Sequence, residues 1–260
     1  MTILDELAAY AKERVEEAKR KVPLSEMKSL ALSMQKDVFS FERALKKEGL
    51  SFILECKKAS PSKGLIAPEF PYLEIAREYE EAGADAVSVL TEPKWFLGKN
   101  GYLKEIASEV KIPCLRKDFT VDEYMIYEAV TLHAKAVLLI CSILTREQLS
   151  EYLGICDSLG ISALVECHDE KEIDLALSVN ARIIGVNNRN LKDFSVDTEN
   201  SKRLRSLIPD NVLFVSESGV KDESDVLDVR NSGADAVLIG EAMMRSGDKR
   251  KELKKLKSLL

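Results

Sequence analysis

Histidine is scarce in this sequence, and this scarcity limits the metal chemistry that the chain could carry. Its 260 residues include only two histidines, His133 and His168, which lie far apart. Zinc and related metals are held by ligands at short, regular spacings, and these two histidines do not form such a pair. The sequence therefore predicts no histidine-based metal site.

Long apolar runs and paired cysteines are also missing. No stretch approaches the roughly 18 apolar residues of a membrane span. Residues 1–21 carry charges throughout and have no uninterrupted apolar core, unlike a secretory signal peptide. The five cysteines include no CxxC pair, and three of them lie in apolar runs typical of strands. Reduced, mostly buried thiols are typical of the cytoplasm, so we expect a cytoplasmic location and no membrane partner.

The charge balance lacks a positive excess. The net charge is -6 and the sequence pI is about 5.3, which argues against a general nucleic-acid surface. A local basic pocket could still hold an anion. Hydrophobic residues make up 45% and charged residues 32%, which indicates a globular protein and excludes a disordered one.

Four segments of the chain resemble one another. Each has a turn-like start, a small residue and a β-branched apolar run, which suits a parallel strand buried on both faces. These segments are GADAVSVL (83–90), HAKAVLLI (133–140), NARIIGVN (180–187) and GADAVLIG (233–240). Further apolar runs precede or separate them: SFILECKK (51–58), PCLRKDF (113–119), ISALVEC (161–167) and NVLFVSESG (211–219). The sequence therefore predicts eight strands at intervals of roughly 25 residues.

The segments between the predicted strands have helical periodicity. In residues 145–160, apolar side chains fall near one helix face, Thr145 can cap the start and Gly160 can end the helix. Alternating strands and helices predict a (β/α)8 barrel, a TIM barrel, over residues 51–246. An open, doubly wound sheet is the alternative, although it usually has fewer strands and does not need so regular a repeat.

The first 50 residues predict an N-terminal helical extension. Two amphipathic helices are expected over about 3–21 and 25–35, followed by a shorter helix capped by Ser40 and ended by Gly49. The extension is too small for a core of its own, so we expect it to pack on the barrel within a single domain of residues 1–260. Residues 247–260 predict a charged, solvated closing helix.

Polar side chains end several of the predicted strands. The carboxyl ends of barrel strands meet at one mouth, where the chemistry of this fold occurs. These ends carry Glu55 and Lys57, Lys117, Glu166, Asn187 and Arg189, and Glu217 with Ser218. A single strand-end charge is more often part of a rim ion pair, but this convergence favours an acid–base site. In a barrel mouth that is partly shielded from water, neighbouring positive and negative charges shift one another's pKa values.

The last two strands carry a separate phosphate signal. Gly219 and Gly240 end them, and a helix is predicted directly after Gly240. The loops after strands 7 and 8 form the usual phosphate site of this fold, so we expect a phosphorylated small-molecule substrate.

Other polar and aromatic residues near the mouth have less specific interpretations. Lys58 and Lys63 are interpreted as solvated loop residues, and Asp118 as a residue that points outward and braces a loop. The loop from Ala59 to Tyr72 is either a mobile lid or an irregular structural loop. Trp95 and Phe96 could stack on an aromatic ligand or simply pack within their own loop.

Eight motifs occur in an order that resembles the indole-3-glycerol-phosphate synthase family over nearly the whole chain. They are ECKKASPSKG, VLTEPKWFLG, CLRKDF, LLICSIL, LVECHDE, GVNNRNL, VSESGV and LIGEAMM. The resemblance implies a cofactor-free lyase of tryptophan biosynthesis. Such an enzyme closes the ring of 1-(2-carboxyphenylamino)-1-deoxyribulose 5-phosphate with loss of carbon dioxide and water. The resemblance leaves open contacts with other tryptophan-pathway enzymes.

The resemblance also implies roles for individual residues. Lys117 resembles the general acid of ring closure, and Glu166 the acid or base of dehydration. Lys57 resembles the lysine that engages the substrate carboxylate and to which an acid role has also been assigned, so the resemblance leaves open which of Lys57 and Lys117 is the principal acid. Arg189 resembles an arginine near that carboxylate. The other implied residues orient groups (Glu55, Asn187, Glu217), contact phosphate (Ser60, Gly219, Gly240) or wall the aromatic ring (Phe96, Phe119, Leu138). Ser218, at the end of strand 7, is expected to bind substrate.

One position departs from the family pattern, because Glu241 stands where many members have serine or threonine. An acid beside a phosphate is unfavourable if it points inward, so a side-chain phosphate contact is in doubt there. Two rival functions also remain at this point: another phosphate-binding barrel, such as an isomerase or Schiff-base aldolase, and a non-catalytic ligand binder.

Overall fold

The computed structural model describes residues 2–36, 38–190 and 194–260, and its centre is a closed barrel of eight parallel strands. We number these strands 1 to 8 in chain order. Their bounds are Ser51–Cys56, Ala86–Leu90, Cys114–Lys117, Ala136–Ile140, Ser162–Cys167, Ile183–Asn187, Leu213–Glu217 and Ala236–Ile239. Strand 1 pairs with both strand 2 and strand 8, which closes the barrel. The predicted (β/α)8 barrel is therefore confirmed, and the open sheet is wrong.

Helices connect the strands and surround them. Their bounds are α1 Ile3–Lys21, α2 Leu24–Ser33, α3 Ser40–Leu45, α4 Tyr72–Ala82, α5 Asn100–Glu109, α6 Glu123–Thr131, α7 Arg146–Leu159, α8 Glu170–Ser178, α9 Glu199–Arg205, α10 Glu223–Asn231, α11 Glu241–Arg245 and α12 Lys249–Leu256. A capping box at Thr145 starts α7, and Gly160 ends it at a φ of 74°, as predicted. No helix in the described part of the chain is long and apolar enough to cross a membrane.

Helix α1 packs against the barrel as the sequence predicted. Its buried residues Leu4, Leu7, Ala11 and Val15 follow one another at intervals of three and four, which places them on one helix face. On the flank of this face, both guanidinium nitrogens of Arg14 reach Asp118, at 2.7 and 3.1 Å. Apolar contact and a paired charge together hold the extension in place.

The short helix α3 differs from its prediction at both ends. Phe39, at a φ of 53°, occupies the cap position, and Ser40 is the first helical residue, whose buried hydroxyl makes no hydrogen bond among the described residues. The helix ends at Leu45, well before Gly49, because the backbone leaves helical geometry at Lys46. Gly49 instead takes a φ of 82° in the turn that leads into strand 1.

The closing helix α12 is less solvated than predicted. It is charged, but Leu253 and Leu256 are buried along one face.

Residues 59–65 of the long loop after strand 1 contain a short antiparallel hairpin, in which Ala59–Ser60 pairs with Gly64–Leu65. All five cysteines are free and buried, as expected.

Candidate active site

A cavity of about 660 Å³ opens at the carboxyl ends of the barrel strands. Because parallel strands direct their carboxyl ends to one rim, residues distant in the sequence meet there. All fourteen residues that the sequence singled out line this cavity. They are Glu55, Lys57, Ser60, Phe96, Lys117, Phe119, Leu138, Glu166, Asn187, Arg189, Glu217, Ser218, Gly219 and Gly240.

Lys117 lies between two carboxylates at the base of the cavity. Its Nζ is 2.9 Å from Oε2 of Glu166 and 3.3 Å from Oε2 of Glu217. Burial disfavours the charged amine, but the negative charges of Glu166, Glu217 and Glu55 outweigh that cost and raise the pKa of Lys117. The side chain therefore holds a proton firmly and presents it to the cavity.

Glu217 and Glu166 flank this lysine in different electrostatic states. Burial and the neighbouring charge of Glu166 raise the pKa of Glu217 to about 7, against the opposing charge of Lys117. Burial also opposes ionisation of Glu166, but Lys117 and His168 lower its pKa below the ordinary value. Two neighbouring carboxyls with separated pKa values can divide acid and base work between them.

The backbone of strand 6 at Gly185 lies close to the carboxylate of Glu217. A Cβ atom on Gly185, in strand 6, would lie 2.1 Å from Oε1 of Glu217. That oxygen is buried and has no hydrogen-bond partner among the described residues. Glycine at position 185 therefore leaves the space into which the Glu217 carboxylate fits.

Lys57 and Glu55 form a second charged pair at the rim. Lys57 Nζ lies 2.6 Å from Oε1 of Glu55, as their shared strand face predicts. A Cβ atom on Gly240 would lie 2.5 Å from that same oxygen and 2.9 Å from the lysine nitrogen. The absence of a side chain at position 240 therefore lets this pair lie against the end of strand 8.

The predicted phosphate end of the cavity also contains cations that the sequence analysis did not assign. Lys63, Lys221 and Arg245 line it together with Ser60, Ser218, Gly219 and Gly240. Lys63, interpreted from sequence as a solvated loop residue, is partly exposed but borders the cavity. Lys58 does not line the cavity, and its carbonyl accepts hydrogen bonds from the backbone of residues 66 and 67.

Glu241 also borders the cavity, but its charge is compensated. Its Oε1 accepts a 3.0 Å hydrogen bond from Arg245 and lies 3.7 Å from Lys63 Nζ. Burial would raise the pKa of this carboxyl, but the Arg245 hydrogen bond and the Lys63 charge lower it. The acid therefore forms an ion-pair network beside the phosphate end.

Apolar side chains form one wall of the same cavity. The rings of Phe96 and Phe119 are 6.0 Å apart at an interplanar angle of 42°, and Leu138 lies on the same cavity. Trp95 does not line the cavity, because its ring packs edge-on against Tyr10 of α1 at 5.6 Å. Of the two interpretations of these aromatics, loop packing fits Trp95 and cavity lining fits Phe96.

Asn187 connects the strand 6 end to the acid–base cluster. Its side chain hydrogen-bonds Glu166, and its Oδ1 accepts from the backbone N–H of Arg189 at 3.0 Å. Arg189 in turn donates to the carbonyl of Phe194 at 3.3 Å. These contacts orient Glu166 and hold the arginine beside the cavity.

Several features of the site were not found from the sequence. Ile3 and Leu7 of α1 line the cavity, so the extension completes the mouth rather than only packing outside it. Buried Glu92 accepts hydrogen bonds from three successive backbone amides, those of Lys94, Trp95 and Phe96, and so fixes the loop that carries the apolar wall. Asp118 braces α1 through Arg14, not only a loop.

The fold and this cluster define a (β/α)8-barrel protein with buried, paired charged side chains at the carboxyl ends of its strands. Two solved structures support the fold alone. The 3-hexulose-6-phosphate synthase from Salmonella typhimurium has a TM-score of 0.67 at 14% identity, covering 81% of this chain and 98% of that one. Thiamine phosphate pyrophosphorylase from Pyrococcus furiosus has a TM-score of 0.61 at 16% identity, with 81% and 94% covered.

Sequence relatives are more specific. The family model for indole-3-glycerol phosphate synthase matches residues 4–256. The indole-3-glycerol phosphate synthase of Ruminiclostridium cellulolyticum is 55% identical over 98% of both chains. That of Endomicrobium trichonymphae is 52% identical over 98% of this chain and 99% of its own. The chain therefore belongs to the indole-3-glycerol phosphate synthase family.

Proposed function

We propose that this protein converts 1-(2-carboxyphenylamino)-1-deoxyribulose 5-phosphate into indole-3-glycerol phosphate, carbon dioxide and water. The observation that carries the proposal is the Lys117 ammonium, held between two carboxylates and presented to a cavity with an apolar wall on one side. Such a group can protonate a ketone while the aromatic carbon attacks it.

Lys117 is the general acid of ring closure in this proposal. As the C–C bond forms, the carbonyl electron pair moves to oxygen and takes a proton from Nζ. The substrate carboxylate then leaves as carbon dioxide, and its bonding electrons restore the aromatic ring. A firmly held proton suits this step, because the ammonium stays charged until an alkoxide develops beside it.

Glu166 acts in the dehydration that follows. A tertiary hydroxyl leaves as water, and the neighbouring ring carbon loses a proton to form the indole double bond. Glu166 is buried and lies 2.9 Å from Lys117, so it can exchange protons with the same part of the substrate. Asn187, Glu217 and Glu55 orient the lysines and the substrate hydroxyls.

Substrate binding divides the cavity into three parts. The phosphate is proposed to bind at Ser60, Ser218, Gly219 and Gly240, where Lys63, Lys221 and Arg245 supply positive charge. The aromatic ring lies against Phe96, Phe119 and Leu138. Lys57 and Arg189 engage the carboxylate that later leaves.

We infer a cytoplasmic location for this activity, and other tryptophan-pathway enzymes are the protein partners that we propose to test.

The decisive experiment measures turnover of the proposed substrate. Purified protein incubated with the carboxyphenylamino-deoxyribulose phosphate should form an indole chromophore and release carbon dioxide in equal amounts. Correctly folded protein that binds this substrate but forms no indole would contradict the proposal.

A further inference from the structure

His168 lies beside Glu166, and the proposed mechanism above gives it no role. Glu166 lies in strand 5 and His168 directly follows the last residue of that strand, and their side chains meet on the same side. Glu166 holds Lys117 with Oε2, while its Oε1 lies 3.4 Å from Nε2 of His168. One carboxylate therefore connects the lysine to the imidazole.

The opposite edge of the His168 ring is fixed by α8. Oε2 of Glu172 lies 3.0 Å from Nδ1 and accepts a 2.7 Å hydrogen bond from the His168 backbone N–H. Ser142 Oγ lies 3.4 Å from the same Nδ1 and donates to Oε1 of Glu172. An ionised carboxylate only accepts hydrogen bonds, so this arrangement places a hydrogen on Nδ1.

The remaining ring nitrogen faces an acceptor. Nε2 is buried and makes no hydrogen bond within the described residues, although Oε1 of Glu166 lies 3.4 Å away. A neutral ring with its hydrogen on Nδ1 would present a lone pair to an ionised carboxylate, and two acceptors would then face each other. A proton on Nε2 removes this repulsion.

The charges around the ring favour that proton. Glu166, Glu172 and Glu217 act on it from strand 5, α8 and strand 7, and Lys117 is bound to the other oxygen of Glu166. Burial lowers the pKa of His168, but the Glu172 hydrogen bond and the three negative charges outweigh burial and raise it. The ring also borders a second cavity of about 570 Å³, where Asp5, Asp169 and Asp197 add negative charge.

If the proposed function holds, the substrate gains and loses protons at three positions in each turnover. The substrate carboxylate leaves as neutral carbon dioxide, so one negative charge disappears and each turnover consumes one proton. The carbonyl oxygen gains one proton, the departing hydroxyl gains a second, and the ring carbon loses one. Lys117 supplies the first and is restored by the third. The second must come from elsewhere.

We propose that His168 is a positioning residue that stores this proton and delivers it to Glu166. When the hydroxyl departs, its C–O bonding electrons leave with oxygen, Glu166 supplies the proton that completes water, and Nε2–H of His168 supplies the proton to Glu166. The ring becomes neutral and regains one proton from solvent before the next turnover. Lys117 and Glu166 end unchanged, and the net uptake is one proton.

His168→Asn tests this directly, and His133→Asn is the matched control. His133 is the only other histidine, lies outside both cavities and has a φ of 65°, a region that asparagine tolerates. We expect His168→Asn to lower kcat about 10-fold to 100-fold, at or below the ~10² to 10⁴ of a direct acid–base group. We expect His133→Asn to leave it unchanged.

The pH profile separates proton storage from simple support of the fold. Wild-type kcat should fall as the pH rises through the pKa of His168, because the ring then loses its stored proton. That limb should vanish in His168→Asn. It should move to lower pH in Glu172→Gln, which keeps the acceptor oxygen and removes the charge. An unchanged profile in both variants would overturn the proposal.

Single-turnover measurements can compare the time at which indole forms with the time at which a proton is taken up from solvent. With a pH-indicator dye, indole formation in the wild type should precede proton uptake from solvent, whereas the two should coincide in His168→Asn. Total uptake should be one proton in both proteins. Simultaneous uptake in the wild type would overturn the storage role, while absence of indole in the wild type as well as in the variants would instead overturn the proposed function.

A measurement on the wild type covers the case in which position 168 does not tolerate substitution. Nitrogen chemical shifts of His168, assigned against His133→Asn, should show that the ring of the free enzyme stays doubly protonated to a higher pH than an unperturbed imidazole, whose pKa is about 6.5. A ring that loses its second proton at or below that pH would overturn the proposal without any variant at that position.

Discussion

Arg14 and Asp118 connect the N-terminal extension directly to the strand end that carries the proposed general acid. Two guanidinium nitrogens of Arg14 meet the two carboxylate oxygens of Asp118, whose chain neighbour is Lys117. Asp118 is fully buried and also accepts a hydrogen bond from Thr91 at 2.6 Å. The extension and the acid–base cluster are therefore coupled through one ion pair.

Arg14→Ala should reduce stability and activity together. Removing one partner of a buried pair leaves the other charge uncompensated, at a cost of about 3 to 5 kcal/mol. Arg116, whose Nη2 lies 3.8 Å from Asp118, would compensate part of it. Because we propose that the extension and barrel form one domain, urea unfolding should show a single transition at a lower midpoint.

The pH dependence of this pair provides the control. Burial would raise the pKa of Asp118, but Arg14 and Arg116 lower it below the ordinary value. Its stabilisation is therefore present above the unfolded-state value of about 3.9 and is lost as the pH falls through the lower, folded-state value. The stability difference between Arg14→Ala and the wild type should shrink in acid. A constant difference would contradict this role.

Lys117→Ala should lower kcat by about 10² or more, because the transition state loses its proton donor. Lys58→Ala is the matched control, since Lys58 lies nearby but does not line the cavity. Steady-state indole formation measures both variants. An unaffected rate in Lys117→Ala would remove Lys117 from the mechanism.

The strand-end residues show how far the sequence alone could predict this molecule. Alternation and parallel register determine which side chains point inward, so the sequence was sufficient to place Glu55, Lys117, Glu166 and Glu217 at the mouth. Ile3 and Leu7 could not be placed there, and the contact of Arg14 with Asp118 could not be predicted, because helix periodicity predicts a buried face without saying what covers it. For the same reason, the sequence predicted that Asp118 braces a loop but not that it binds Arg14 of α1.

Glu217→Gln should stabilise the protein at neutral and alkaline pH. The folded-state pKa of Glu217 is about 7, above the ordinary ~4.3, so the folded state binds more protons between these values and stability falls as the pH rises. Glutamine cannot ionise and avoids this loss. Thermal unfolding should show a higher Tm for the variant above about pH 7, with the gap closing toward about pH 4.

The activity of Glu217→Gln should fall, although its stability should rise. The carboxylate lies 3.3 Å from Lys117, and the neutral amide would orient that lysine less strongly. We expect Glu217→Gln to lower kcat/KM and to remove any inflection near pH 7 that wild-type kcat/KM shows. A variant less stable than the wild type at alkaline pH would contradict the electrostatic argument.

Gly185→Ala should impair catalysis without adding any charge. The new methyl group would lie 2.1 Å from Glu217 Oε1 and 3.1 Å from Leu164 Cδ1, so the carboxylate must move away. We expect kcat to fall at least about 10-fold, toward the loss expected when an acid–base group is displaced. Circular dichroism and indole formation would separate displacement from unfolding.

Gly154→Ala is the control for the same chemical change. Gly154 lies within α7, where a Cβ atom would meet nothing within 4 Å. Alanine there should stabilise the helix by about 0.5 to 1 kcal/mol and leave the rate unchanged. Equal kinetic effects of the two substitutions would contradict the specific role of Gly185.

The five buried thiols give the protein a set of built-in reporters. Cys56, Cys114 and Cys167 lie in strands 1, 3 and 5, Cys141 follows strand 4, and Cys156 lies in α7. Since none is exposed in the folded state, a thiol reagent can modify each one only when its part of the barrel opens. Pulsed alkylation followed by peptide mass mapping would therefore rank the opening of individual wall segments without any engineered label.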